Sequence, residues 1–187
     1  MNPIAFDDLA ALVGQLRINA GHTYHVCYPE FVRYFASARP LERHHLIVGS
    51  SIVYGWMPTI VEFKSDKWEE VVVALNRVQV GERISRAQIE TVKGFLNNSV
   101  VGASKLLHFV NPGLYPIWDG KVCKFIHGRD HNYIVNDAGN YMTYTTACEA
   151  LVKDPRFPAL HRLVEQQLPY RVSPYRAIDL VVFESAR

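Results

Sequence analysis

Cysteine is scarce in this sequence, and the spacings that would indicate disulfides or a metal cluster are missing. Only three cysteines occur in 187 residues, Cys27, Cys123 and Cys148, and they lie far apart. An odd number of distant cysteines argues against a disulfide framework and indicates a reducing compartment. It also leaves no set of four closely spaced cysteines that could ligate an iron–sulfur cluster. We therefore expect a protein without disulfides and without a bound cofactor.

Long hydrophobic runs are also missing. No window of about 18 residues is apolar and free of charge, so no membrane-spanning helix is expected. The first residues lack a basic start followed by a long apolar stretch, which a secretory signal would need. There is no glycine-rich loop of the Walker or dinucleotide type, so nucleotide-dependent chemistry has no support. These absences predict a soluble, cytoplasmic protein, nucleoid-associated if the source is bacterial, with no membrane partner.

Charge of one sign is not in strong excess. The net charge is +2 and the sequence pI is near 8.4. This balance permits binding to nucleic acid without requiring it, because binding depends on where the positive residues cluster. Composition therefore leaves the choice of partner open.

Hydrophobic residues with helical spacing are what the sequence has in abundance. They make up 49% of the chain, which is enough to form a sizeable core. Apolar residues recur with the period of an amphipathic helix nearly everywhere. No internal repeat or long linker divides the chain. We predict an all-α fold of about nine helices over residues 1–187, either one compact domain or two small helical lobes that share one core.

The stretch from Asn97 to Phe125 is the most informative part of the sequence. A polar turn, Asn97-Asn98-Ser99, precedes an apolar helical run that contains a single lysine, Lys105. A turn rich in helix-breaking residues follows, and Asp119 then stands where another helix begins. The order is helix, hairpin with glycine, helix with lysine, turn, and aspartate at a helix N-terminus.

This order resembles the helix-hairpin-helix DNA glycosylases, and most of all their lysine-bearing, 8-oxoguanine branch. The resemblance implies base excision with AP-lyase activity on duplex DNA that carries a damaged purine. It assigns Lys105 the role of the amine that attacks the sugar C1′ and forms a Schiff base. It assigns Asp119 the role of stabilising positive charge on the sugar, although an aspartate at this position is also a good N-cap.

Further residues follow from the same resemblance. Backbone groups of the hairpin would hold a phosphate, and nearby cations would add affinity without sequence preference. These candidates for nucleic-acid binding are Asn97, Asn98, Ser99, Gly102, Lys93, Lys121, Lys124 and Arg129. An extruded base would stack on an aromatic ring. The candidates for the base pocket are Trp56, Phe109, Tyr115 and Trp118, although a large aromatic is more often a core anchor.

Two alternatives to a DNA glycosylase stay open at this point. The same scaffold could serve as a non-catalytic module that binds nucleic acid or protein, or it could act on RNA or a modified nucleoside. His127, Asp130 and His131 are of metal-ligating types, but no fourth ligand is identifiable, so we expect a polar loop and no metal site. Arg176 and Asp179, three residues apart, are expected to form a surface ion pair.

Overall fold

The fold of residues 4–185 is described by a computed structural model. Eleven helices in this range account for the regular structure, where the sequence predicted about nine. The helices are α1 Phe6–Gln15, α2 Thr23–Ala36, α3 Arg43–Trp56, α4 Trp68–Gln79, α5 Arg86–Phe95, α6 Val100–Val110, α7 Gly120–His127, α8 Asn132–Val135, α9 Ala138–Val152, α10 Phe157–Glu165 and α11 Pro174–Ser185. The all-α prediction is confirmed, and a single isolated bridge pairs Phe63 with Leu96 within the described range.

One hydrophobic core joins all of these helices. Buried side chains from every helix, α1 through α11, belong to the same contiguous cluster. Within residues 4–185, none of the helices has both the length and the hydrophobicity needed to cross a bilayer.

Helix α6 lies at the centre of this core. Its sequence is apolar on nearly all sides, and it packs against α2, α3, α4, α5 and α9. A helix that is hydrophobic on all sides is usually buried, so α6 is the central buried helix of this fold. Lys105 is its only lysine and is one of the few α6 residues that is not fully buried.

A tight turn joins α5 to α6. Asn97 and Asn98 both adopt a φ of 52°, the left-handed conformation that asparagine tolerates better than most residues. Ser99 then caps α6, because its hydroxyl accepts a hydrogen bond from the N–H of Gly102 at 3.1 Å. The predicted polar turn ahead of the lysine-bearing helix is therefore present, and its chemistry explains why it forms.

Candidate functional site

A cavity of about 460 Å³ opens beside α6, at its junction with α3, α7 and α11. This volume lies in the range that small-ligand sites occupy. Part of its wall is apolar, with Trp56, Met57 and Ile117, and part is charged. Four charged residues line it: Lys105, Asp119, Arg176 and Asp179. Charged groups that converge on an apolar cavity are the usual mark of a binding or catalytic site.

Lys105 reaches the cavity from the middle of α6. Its Nζ lies 5.2 Å from the centroid of the Trp56 ring, a cation–π distance. Burial lowers the pKa of the Lys105 amine below its ordinary value, and the charge of Arg176 adds to the lowering. The carboxylates of Asp119 and Asp179 oppose that shift. A lysine whose pKa is lowered carries a larger fraction of neutral, nucleophilic amine near pH 7.

Asp119 caps α7 at the rim of the same cavity. Its Oδ1 accepts a hydrogen bond from the N–H of Val122 at 2.9 Å. Among the described residues, no ion pair within 4 Å joins Asp119 to Lys105. The hydrogen bond to Val122 makes Asp119 the N-cap of α7. The second carboxylate oxygen of Asp119, Oδ2, takes no part in that hydrogen bond.

A serine explains how two residues 14 positions apart meet at one cavity. Ser104 is the neighbour of Lys105, and Trp118 is the neighbour of Asp119. The Ser104 hydroxyl accepts a hydrogen bond from the Trp118 N–H at 3.1 Å, and it lies 3.0 Å from the Trp118 carbonyl oxygen. This buried contact ties the segment before α7 to α6, so the lysine and the aspartate are positioned together.

Of the four base-pocket candidates, only Trp56 lines the cavity. Phe109 lies behind it, fully buried, with ring centroids 5.2 Å apart. Tyr115 accepts a hydrogen bond from the Ile84 N–H at 2.8 Å, and the Trp118 indole donates one to the Val135 carbonyl at 2.8 Å. These three aromatics are core anchors in this fold, because all three are buried and the polar groups of Tyr115 and Trp118 are already hydrogen-bonded.

The hairpin residues have structural partners of their own. The Asn97 side chain accepts a hydrogen bond from the Glu62 N–H at 2.7 Å and donates one to the Ile60 carbonyl at 3.0 Å. Asn97 and Ser99 also line the cavity, whereas Asn98 is exposed. Gly102 is buried, and a Cβ added to it would lie 2.4 Å from the Tyr54 hydroxyl. The missing side chain at Gly102 therefore makes room for the Tyr54 hydroxyl, and the Gly102 backbone is buried rather than exposed to solvent.

The four predicted cations differ in their surroundings. Lys93 forms an ion pair with Glu90 at 3.0 Å. Lys121 turns inward, with its Nζ 4.2 Å from the centroid of the Phe183 ring. Lys124 and Arg129 are exposed on or just after α7. Of the four predicted cations, Lys124 and Arg129 are therefore the ones on the exposed surface.

The prediction that Arg176 and Asp179 form a surface ion pair is wrong. The pair does form, with Nη1 of Arg176 2.8 Å from Oδ1 of Asp179, but the residues are only 4% and 1% exposed. Their helix, α11, is buried over most of its length, which the sequence pattern did not reveal. Residues of α2 and α11 that line the cavity, such as Tyr24, His25 and Phe183, were also missed because they lie far from the central stretch in sequence.

Comparisons with known proteins identify no relative of this chain: no protein-family model, no curated protein and no solved structure matches it. Within residues 4–185, no group of three or more histidine, cysteine or acidic side chains could hold a metal ion. The argument for function therefore rests on the cavity and its side chains.

Proposed function

We propose that this protein is a DNA base-excision glycosylase with AP-lyase activity, acting on a damaged purine such as 8-oxoguanine. The observation that supports this most is the convergence of Lys105, Asp119 and Trp56 on one cavity. These residues supply a nucleophilic amine, a carboxylate and a stacking surface, which are the three groups that such a reaction needs. The resemblance of the central stretch to lysine-bearing glycosylases supports the same reaction.

The reaction follows from the chemistry of the amine. Neutral Lys105 attacks C1′ of the extruded nucleotide, and the electron pair of the C1′–N bond leaves with the base, which takes up a proton. The amine adduct loses a proton, and the sugar ring opens to give a protonated Schiff base between Nζ and C1′. β-Elimination from that Schiff base then breaks the C3′–O bond and cleaves the strand.

Asp119 and Trp56 have supporting roles in this scheme. The Asp119 carboxylate stabilises the positive charge that develops on the sugar as the base departs. The Ser104–Trp118 contact keeps this carboxylate near the amine. Trp56 offers a flat surface to the base and offsets part of the cost of extrusion.

Borohydride trapping tests the proposal directly. Wild-type protein is incubated with duplexes that carry 8-oxoguanine, uracil, an abasic site or no lesion, and covalent complexes are counted. We expect a complex with one damaged base that Lys105→Gln abolishes. The matched control is Lys153→Gln, an exposed lysine at the C-terminal end of α9, which should trap like wild type. Trapping that survives Lys105→Gln would remove the lysine from this role, and salt-sensitive binding without any complex would favour a non-catalytic module.

Asp119→Asn separates the carboxylate's chemical role from its cap. Asparagine caps a helix about as well as aspartate, so stability should change little. Loss of the charge should slow trapping by about 10²–10³-fold. Asp119→Ala, which removes both, should add a loss of about 1 kcal/mol in the free energy of unfolding. An Asn variant as fast as wild type would show that Asp119 is only a cap.

A second substrate class has specific support. Of the four predicted phosphate-binding cations, Lys93 is already paired and Lys121 is turned onto Phe183, which leaves Lys124 and Arg129 exposed. The same Lys105 chemistry needs no phosphate contact on a free modified nucleoside, and it needs fewer on a short single strand of RNA than on a long duplex. Trapping on single-stranded, duplex and ribo-substrates at rising salt distinguishes the two. Duplex DNA preferred over the others would support the first proposal.

A further inference from the structure

Arg176 and Asp179 form a charged pair inside the cavity wall that takes no direct part in the steps of the proposed reaction. Both lie on α11 and are almost completely buried. Removing two charges from water is costly, and a buried ion pair often stabilises a fold less than apolar side chains of the same size. Its presence at a cavity wall therefore calls for an explanation other than stability.

The pair has hydrogen-bonding capacity left over. Nη1 of Arg176 donates to Oδ1 of Asp179 at 2.8 Å. Among residues 4–185, neither Nε of Arg176 nor Oδ2 of Asp179 has a partner that meets the geometry of a hydrogen bond. The Ile117 N–H is close enough to the Asp179 carboxylate to lower its pKa, which opposes the effect of burial. A buried donor or acceptor without a partner costs free energy, and a ligand that supplies the partner recovers that cost. Both atoms are covered by neighbouring groups, so a small rotation of either side chain toward the cavity is needed to engage a ligand.

Aromatic rings place the guanidinium next to the stacking surface. Its Cζ lies 4.7 Å from the centroid of the Tyr28 ring and 5.6 Å from that of Trp56. Arginine planes are held well by aromatic faces. Trp56 is also the ring beneath Lys105, so a planar ligand on Trp56 lies close to both the amine and the guanidinium.

The balance of charge indicates what kind of ligand fits. Lys105 and Arg176 are basic, whereas Asp119 and Asp179 are acidic, so the charges that line the cavity offset one another. An anion such as phosphate would meet two carboxylates, and a cation would meet the guanidinium. A neutral planar group with its own donor and acceptor is the better match.

We propose that Arg176, positioned by Asp179, determines the specificity of the cavity for bases with a lactam edge, in which a ring N–H stands beside a C=O. The guanidinium donates to the carbonyl oxygen, and the carboxylate accepts from the N–H. This inference rests on the proposed function only for the statement that the ligand is a nucleobase. Hypoxanthine, uracil, guanine and 8-oxoguanine carry such an edge. Adenine and cytosine present an amino group and an unprotonated ring nitrogen instead.

Matched pairs of bases provide the test. Hypoxanthine differs from adenine, and uracil from cytosine, at the lactam edge. Binding of the four bases to the whole protein is measured by isothermal titration calorimetry on their N-methyl derivatives, with the methyl group at N9 of the purines and at N1 of the pyrimidines, where the sugar is attached in DNA. The methyl group removes the N1–H that stands beside C2=O in free cytosine. Trapping is measured on duplexes that carry each of the four bases. We expect wild type to prefer the lactam member of each pair by at least about tenfold, since a two-point contact discriminates on that scale. Equal affinity for both members would overturn the proposal.

Two variants test whether Arg176 and Asp179 cause the preference for lactam bases. Arg176→Met with Asp179→Leu removes both charges together, which a fold tolerates better than removing one. Arg176→Lys keeps the charge but lacks the forked donors of the guanidinium. If circular dichroism shows that the double variant is unfolded, Arg176→Lys is the variant that tests the proposal. In either variant the ratio of affinities within a pair should fall to about one. A ratio that stays at the wild-type value would overturn the proposal.

The two readouts separate this inference from the proposed reaction. A preference for free lactam bases without any Lys105-dependent trapping would support the inference and contradict the glycosylase proposal. Trapping that does not distinguish hypoxanthine from adenine would support the glycosylase and contradict the inference. Ratios within one variant are compared throughout, so a uniform loss of activity does not affect the result.

Discussion

Two aspartate–arginine pairs in this protein form the same 2.8 Å contact between neighbouring positions of the chain and differ in their surroundings. Asp154 and Arg156 lie on the surface after α9, and the guanidinium also contacts Asp7 at 2.8 Å. Arg176 and Asp179 lie inside the cavity wall. Hydrogen bonds from Arg156 lower the pKa of Asp154 to about 2, whereas burial raises the pKa of Asp179 to about 7. The surroundings, rather than the arginine, set the direction of the shift.

The contrast shows where to look for function. Water and a nearby cation stabilise the charge of the surface aspartate, so that pair needs no further partner. For the cavity aspartate, the loss of solvation outweighs the attraction of Arg176, and the charge of Asp119 raises the pKa further. A charge held under such unfavourable conditions is better explained by a ligand than by the fold.

The largest effect is expected when the buried pair is broken. Asp179→Ala leaves the Arg176 guanidinium buried without its counter-ion, which should lower the free energy of unfolding by about 3–5 kcal/mol. Urea denaturation followed by circular dichroism measures it. The control is Arg176→Met with Asp179→Leu, which should cost far less than the single change. A single variant as stable as wild type would show that the cavity solvates the arginine well.

A buried histidine beside this pair should make the fold sensitive to acid. His108 is fully buried, and its Nδ1 donates to the Tyr115 carbonyl at 2.7 Å while its Nε2 accepts from the Tyr28 hydroxyl at 2.9 Å. Burial, together with the charge of Arg176, lowers its pKa from 6.5 to about 3. Because the folded value lies below the unfolded one, the stability that the neutral ring provides is complete above pH 6.5. It is lost as the pH falls toward 3, by as much as about 5 kcal/mol.

His108→Gln isolates this contribution, because glutamine can bond to both partners and does not titrate. The difference in unfolding free energy between wild type and variant is measured from pH 7 to pH 4. It should change steadily in favour of the variant as the pH falls. The raised pKa of Asp179 acts in the opposite sense, since its neutral form is favoured at low pH, and it is common to both proteins. A constant difference would show that His108 does not couple folding to pH.

The sequence predicted the helical fold, because helices depend on local signals. It brought Lys105 and Asp119 together only through the resemblance to a family, and the structure shows that both line one cavity. Periodicity marks helices, and the caps at Ser99 and Asp119 mark where two of them begin. The sequence did not predict that α11 is buried. Helix α11 contains both polar and apolar residues, and the helices that pack around it determine whether its polar residues reach solvent. Arg176 and Asp179 were therefore assigned to the surface.

The four aromatic candidates also show that the sequence does not distinguish buried from cavity-lining residues. Trp56, Phe109, Tyr115 and Trp118 are equally plausible pocket walls in sequence, and three of them are core residues. What separates Trp56 is its position at the C-terminal end of α3, where the chain turns away and the cavity begins. Such a position depends on how distant helices pack, and no spacing within the chain encodes it.

The smallest effect is expected at the surface pair. Arg156→Gln removes the contacts with Asp154 and Asp7 and the packing of the guanidinium over the Phe6 ring, where Cζ lies 4.0 Å from the centroid. Exposed ion pairs gain little, because water solvates the separated charges and salt screens their attraction. The urea midpoint of this variant should stay within experimental scatter of wild type, and any difference should vanish at about 1 M salt. A loss as large as that of Asp179→Ala, unchanged by salt, would mean that the two pairs hold the fold together alike, and that burial is not what sets the cavity pair apart.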